Sequence, residues 1–533
     1  MILGFFFGVV LLLAACAPPD RWRVFEPDLD GMVKEEAKAP DVEVPQELQP
    51  RLEEEPALDL PDEGPLSLSV EQTLMLALDN NRDLRVRQLA PVVAGTFEDM
   101  ERGTYDPELF SELTYTEEEA SETSRSTGDQ FAVQGRESLA VAGARQRLPT
   151  GTLVEASVEQ ERSISNRAPE QQTARAGLSV TQSLLRGFGP AVNLASVRQA
   201  ELDTLASLYE LRGFTEALVA DTEIAYWNLA LAEKEVSILE QSLAVAERQL
   251  DEVEQRIDIG ILPEMEAAAA RAEVARREQA LVDARSRLQE RRLRLLRLTN
   301  PDPAGLLDRE VETASEPAIA AEPVTDLDDR LRLAEKLRPD VNEARLRLEK
   351  NRLEIVVTRN GILPLLDLFV VLGKTGFADT FPDSFRELDG STYDLAAGVR
   401  LSHFLGNREA KARHAAAKAS KSQSARAVEN LVQLARLDVR LAANEVERAR
   451  LLIGASRVTR ELEEETLRAE KEKYDVGSST ALLVAQAQRD LLLSRIAEVR
   501  SVVNYRIALV RLYLAEGSLL ERRGVSIAGG EAL

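Results

Sequence analysis

Arg256-Ile257-Asp258-Ile259-Gly260 returns 217 residues later as Lys473-Tyr474-Asp475-Val476-Gly477. The same displacement carries Gly189 onto Gly406 and Arg294-Leu295-Leu296 onto Arg511-Leu512-Tyr513. Nearer the start of each copy the displacement is 257, taking Asp83-Leu84 to Asp340-Val341 and Pro107 to Pro364. The two displacements differ by 40, so the first copy carries an insertion between Pro107 and Gly189. A repeat this long is no solenoid unit. The chain holds two copies of one large structural unit.

Working outward from the quoted stretch, Val236, Leu243, Leu250 and Ile257 recur at intervals of seven, with Leu239, Ala246 and Val253 in the companion seam. This is coiled-coil spacing. The pattern restarts after Gly260-Ile261-Leu262-Pro263 with Ala267, Val274, Leu281, Leu288 and Leu295. It predicts an antiparallel helical hairpin over 191–299 with its turn at Gly260 to Pro263. A helix of about 65 residues is ~100 Å long. The second copy predicts the same hairpin over 408–516, turning at Gly477-Ser478-Ser479.

The segments before each hairpin change period. Val154, Ala156 and Val158 alternate with Glu155, Ser157 and Glu159; Leu178 and Val180 alternate with Ser179 and Thr181. Tyr393, Leu395, Ala397, Val399 and Leu401 alternate with Asp394, Gly398, Arg400 and Ser402. Period two means strands with one apolar and one polar face. Strands of about ten residues suit a transmembrane barrel, apolar toward lipid and polar toward a watery lumen. Unpaired edge amides in hydrocarbon cost several kcal/mol each, and four to six strands per chain are too few to close a water-filled barrel. The strands therefore require the chain to oligomerise.

Pro107 to Gly189 spans 82 positions where Pro364 to Gly406 spans 42, and Arg147-Leu148-Pro149-Thr150-Gly151-Thr152 reads as a turn between alternating segments. The insertion predicts four strands from the first copy (about 107–188) and two from the second (about 364–405). A trimer would then have eighteen; the competing reading folds the added hairpin over the barrel's mouth or side without joining its wall, which leaves twelve. The turn at Pro149 to Gly151 falls on the inner side, with Glu117 to Phe131 and Phe377 to Asp389 as outer loops.

Ile2 to Ala15 is almost wholly apolar and ends in Leu13-Ala14-Ala15-Cys16. About 14 residues are too few to span a bilayer as a helix. They suit the core of a secretory signal peptide over 1–15. Small residues before the only cysteine resemble a bacterial lipobox, which makes Cys16 the lipidated first residue of the mature chain. Ala17 follows it, and that resemblance implies sorting to the outer membrane rather than retention at the inner one. From 16 to 65 the chain is acidic and punctuated by Pro27, Pro40, Pro45, Pro50, Pro56 and Pro61. This composition predicts an unfolded tether.

Ser69-Val70-Glu71-Gln72 has capping-box form and opens the folded part. Pro91 is expected to kink or break the helix that contains it. A Pro/Glu/Ala-rich stretch over 301–325 reads as a linker between copies 66–300 and 326–522, with 523–533 as a tail.

The net charge of −25 excludes nucleic acid as a partner. His403 and His414, the only histidines, lie eleven apart without cysteine partners, so no metal site is expected. No phosphate-binding glycine loop is present either. The sequence predicts neither enzyme nor cofactor.

Leu68-Ser69-Val70-Glu71-Gln72 with Asn80-Asn81-Arg82-Asp83-Leu84, and Thr181-Gln182-Ser183-Leu184-Leu185-Arg186-Gly187-Phe188-Gly189 before a long helix, resemble the TolC-like outer membrane efflux family. Arg338-Pro339-Asp340-Val341 and Tyr474-Asp475-Val476-Gly477 extend that resemblance into the second copy. Arg82 departs from the family's usual proline, which Pro339 keeps.

The resemblance implies an α+β membrane protein: a homotrimeric outer-membrane β-barrel continuing as a periplasmic α-helical barrel. It implies the exit duct of a tripartite efflux or type I secretion system, with a periplasmic adaptor and an inner-membrane pump of RND or ABC type. Outer-membrane lipid is the remaining partner. By matching position, Ile259-Gly260-Ile261-Leu262 and Val476-Gly477-Ser478-Ser479 are the adaptor-contact tips. Asp258 and Asp475, two residues before the tip glycines, would place six carboxylates around the periplasmic aperture of a trimer. The alternative is a lipid-tethered periplasmic coiled-coil scaffold without a pore, which would have no use for alternating strands.

Overall fold

The computed structural model describes residues 65–123, 126, 128–166, 168–300, 310–317 and 321–525. The leader, Cys16 and the tether lie outside them. Two compact units make up the described chain. One contains Val92–Leu205 and Arg345–Ala427; the other contains 65–91, Ala206–Ala344 and 428–525.

The first unit is built on one six-stranded antiparallel sheet. Its strands are β2 (Glu108–Thr123), β3 (Gln130–Arg147), β4 (Thr152–Ser165), β5 (Ala168–Ser183), β7 (Leu365–Ala378) and β8 (Tyr393–Ser402). They are ordered β2-β3-β4-β5-β7-β8. Four come from the first copy and two from the second, the division that the insertion predicts. Val154–Glu161 is paired on both sides, with β3 and β5, so the added hairpin belongs to the wall.

The outer end of the sheet departs from expectation. Glu117–Thr123, expected in a loop, is paired with Gln130–Arg136. Those residues carry four glutamates and no apolar alternation, so periodicity missed them. An ion pair between Glu117 and Arg136 at 2.9 Å supports the pairing. The loop between β7 and β8 folds as a short helix, α7 (Phe381–Arg386), whose buried Ser384 donates to Gln160 Oε1 at 3.3 Å.

At the sheet's other end asparagines fasten the turns into the helices. Asn193 Nδ2 donates to Gly187 O at 2.8 Å, and Asn360 Oδ1 accepts from the Gly187 amide at 2.8 Å. Asn407 Nδ2 donates to Ile362 O at 2.8 Å.

The second unit is helical. Its helices include α1 (Val70–Asn80), α4 (Met265–Thr299), α5 (Leu327–Leu337) and α9 (Ala481–Glu516). Four helices run through both units: α2 (Arg82–Gly103), α3 (Ala195–Asp258), α6 (Pro339–Gly361) and α8 (Arg408–Asp475). Ser69 caps α1 with both bonds of the capping box. The break expected as one outcome at Pro91 is absent, since α2 is continuous through it. Pro91 is buried, and packing sustains a helix that propensity alone would break.

Heptad positions Leu239, Ala246 and Val253 are buried along α3, as are Val484 and Leu491 along α9. Helices of 64 and 68 residues are held by these seams rather than by propensity.

The stretch expected as a linker contains a strand. Val311–Thr313 (β6) pairs parallel with Leu66–Leu68 (β1). Fully buried Tyr226 joins both segments, donating to Leu68 O at 2.8 Å and accepting from the Ser315 amide at 2.9 Å. Three-residue strands this far apart in sequence leave no periodic trace. The expected tail also begins as structure: Arg523 pairs with buried Glu223 at 2.5 Å.

Candidate functional site

Two surfaces carry the residues singled out by spacing and motif: the wall formed by the sheet and the two helical turns. Strand register fixes the faces of the wall. One face presents Val154 and Val158, Leu178 and Val180, Val370 and Leu372, and Leu395 and Val399. The opposite face presents Glu155 and Glu159, Arg175, Asp367, Asp394 and Arg400. No described helix is long and apolar enough to cross a membrane. The continuous apolar surface belongs to the sheet.

On the polar face Arg175 of β5 bonds Glu159 of β4 at 3.1 Å and Asp394 of β8 at 2.9 Å. It reaches Asp394 across β7 at Gly373, where a Cβ would sit 2.1 Å from the Asp394 carboxylate. Glycine there leaves room for the charge pair. Sequence reading missed this group because Arg175 and Asp394 are 219 residues apart.

Each helical turn is closed by a glycine with positive φ, Gly260 at 75° and Gly477 at 74°. The Ile261 amide donates to Arg256 O at 2.8 Å, and the Ser478 amide donates to Lys473 O at 2.8 Å. In the second turn Ser479 Oγ donates to Glu470 at 2.7 Å, and Thr480 caps α9. Hydrogen bonds from Lys473 and Ser479 hold the Glu470 carboxyl below its usual range. The two turns meet side by side, with the Arg256 guanidinium over the Tyr474 ring and Gln488 donating to Gln249 at 2.9 Å.

Ile259, Ile261 and Val476 are 69%, 66% and 79% exposed, and Met265 and Leu482 stand beside them in solvent. Asp258 and Asp475 end α3 and α8, both exposed. Apolar side chains and the Asp258 and Asp475 carboxylates thus lie exposed together at the turns. His414 Nδ1 lies 3.2 Å from Thr358 Oγ1. Among the described residues no three metal-binding side chains cluster.

Deeper in the second unit Glu216 is 2% exposed, and its Oε1 lies 3.5 Å from Arg212 Nε without a hydrogen bond. Burial pushes its carboxyl up to about 7.

The sequence matches the family described as outer membrane efflux protein twice, over residues 114–301 and 331–518. The two starts are 217 residues apart, 331 less 114, and so are the two ends, 518 less 301. The chain belongs to the outer membrane efflux protein family. The match displays the duplication in the family's own terms: one unit of sheet and helical hairpin, written twice.

Outer membrane protein OprJ of Pseudomonas aeruginosa is 25% identical over 380 residues, covering 71% of this chain and 75% of OprJ. Among solved structures, the CmeC outer membrane channel of Campylobacter jejuni superposes with a TM-score of 0.60 at 16% identity, covering 84% of this chain and 86% of CmeC. VceC, an outer membrane protein of Vibrio cholerae, gives 0.61 at 16% identity, covering 84% and 96%. The efflux family's β-barrel and helical-barrel fold is therefore this chain's fold, and the outer membrane and periplasm are its place.

Proposed function

We propose that three copies of this chain form a passive exit duct of a tripartite efflux or type I secretion system. The observation that carries it is the six-stranded sheet with one apolar face and two unpaired edges, β2 and β8. Such a sheet is stable in hydrocarbon only when closed, and symmetric copies close it. Six strands from each of three chains give an eighteen-stranded barrel. A pore-free scaffold would have no need of such a wall.

The exposed tips Ile259 to Leu262 and Val476 to Ser479 are the surface for a periplasmic adaptor, which links the duct to an energised inner-membrane pump. The duct needs no enzymatic activity of its own. Cys16 carries lipid at the mature amino terminus, and mass spectrometry of that terminus checks it; an unmodified cysteine would refute lipidation alone.

The test of the duct is the membrane-extracted full chain in planar bilayers, with its native mass measured in parallel. A trimer with stepwise ion conductance is expected. A monomer, or an oligomer without conductance, would overturn the reading.

A further inference from the structure

The wall's two free edges determine how one copy meets the next. A line drawn perpendicular to the strands from Glu108 passes Arg145, Glu155, Ser179 and Val371 and reaches β8 at Ala396. Beyond Ala396 it enters β2 of the neighbouring copy. Both copies must keep their polar faces on one side, so Ala396 can face only an even-numbered residue of β2. Glu108 and Phe110 would leave the strands tilted by only about 0° and 13°, and Glu112, Thr114 and Thr116 remain. Those three choices make the line climb four, six or eight residues per copy, hence twelve, eighteen or twenty-four around a trimer.

Residue rise and strand spacing turn those climbs into strand tilts of about 25°, 35° and 43° for eighteen strands. Transmembrane barrels tilt their strands by about 35–45°. The Glu112 register offers a good ion pair, Arg400 to Glu108, and still fails, because its tilt is too shallow.

Chemistry separates the remaining two. Facing Ala396 with Thr116 sets Asp394 against Glu118 on the polar face, and like charges directly opposite destabilise a strand pair. It also sets Leu395 of the apolar belt against Glu117. Facing Ala396 with Thr114 avoids both conflicts. Leu401 then meets Leu109, Ala397 meets Leu113 and Leu395 meets Tyr115, while Asp394 meets Thr116. Arg400 meets Phe110, a ring that Arg145 already covers from the other side at 5.5 Å.

We infer that copies join β8 to β2 with Ala396 opposite Thr114 of the neighbouring copy, closing a barrel whose strands climb eighteen residues per circuit. That seam ends at Glu117, and the strand beyond it carries the acidic residues Glu118 and Glu119. Charged edges of this kind resist pairing with further chains. The inference rests on the trimeric duct proposed above and specifies its interface.

Disulfide trapping tests the register, because directly opposite residues lie within bridging distance while diagonal neighbours at ~7–8 Å do not. The full chain would carry Ala396→Cys with Glu112→Cys, Thr114→Cys or Thr116→Cys, each oxidised in the membrane beside the Ala396→Cys single variant. Native mass is measured first. Covalent multimers several-fold more abundant with Thr114→Cys are the expected result.

A second pair on the apolar face, Val399→Cys with Ser111→Cys, reports the same register should the first assemble poorly. Highest yield with Glu112→Cys or Thr116→Cys would overturn the register and leave the trimer standing. Trimers that link at none of these positions would overturn the β8–β2 seam. A native mass other than three copies would overturn the duct reading itself.

Discussion

The guanidinium of Arg256 lies over the ring of Tyr474, 6.0 Å from its centroid, and so couples the closing turn of one hairpin to the closing turn of its duplicate. Tyr474 occupies the place of Ile257 in the repeat, so this contact is specific to the pairing of unlike copies. At a half-buried site such a cation–π contact is worth about 0.5–1 kcal/mol. Tyr474→Ala should speed amide hydrogen exchange in 256–262 and 473–479 by about two- to five-fold. Unchanged exchange would show that backbone bonds alone hold the turns.

Asp258 and Asp475 place two exposed carboxylates per chain beside those turns. Carboxylates gathered at a pore mouth raise the local cation concentration. In planar bilayers Asp258→Asn/Asp475→Asn should lower cation selectivity, read as a smaller reversal potential in a salt gradient. An unchanged potential would make them solvated helix-end acids.

Arg175 predicts the opposite sign within the barrel. Removing it leaves Glu159 and Asp394 without their shared cation on the polar face. Arg175→Ala should therefore raise cation selectivity in the same measurement.

Glu216 predicts a pH dependence of stability. Burial raises its carboxyl pKa from 4.5 to about 7, with the charge of Glu521 adding to the shift and Arg212 and Arg338 opposing it. Between those values the folded chain holds a proton that the unfolded chain has released. The stabilising contribution is complete below about 4.5, falls as pH rises and is gone above about 7, a loss on the order of 3 kcal/mol. Glu216→Gln should remove that component. Melting measured at pH 5 and pH 8 should differ less in the variant than in the parent chain, and an equal difference would exclude Glu216 as its source.

Much of this architecture is legible from residue spacing. Heptads place Leu239, Ala246 and Val253 in a seam because a helix packed along its whole length must repeat its apolar contacts. Alternation exposes β4, β5 and β8 because lipid on one side and water on the other sort residues by parity. The sequence says little where neither constraint acts. Glu117–Thr123 is a strand through its partner Gln130–Arg136 alone. Leu66–Leu68 and Val311–Thr313 are too short for any period, and the hydroxyl of Tyr226 joins them only in three dimensions. At Pro91 the reverse holds: the break that a local rule allows is absent because packing outweighs it. Among site residues, the tip glycines were readable as turn closers. Arg175 was hidden because its two partners lie on different strands, one of them in the other copy.

The open edges of the wall have a genetic consequence. A chain that cannot finish its own barrel must share every pore with its neighbours, so an altered subunit spoils pores that also contain unaltered ones. In a cell making equal amounts of parent chain and a chain that assembles but blocks transport, about one trimer in eight would be wholly parental. A blocking allele should therefore be dominant over a wild-type copy. An allele that prevents β2 or β8 from pairing should be recessive, because its product never enters a pore.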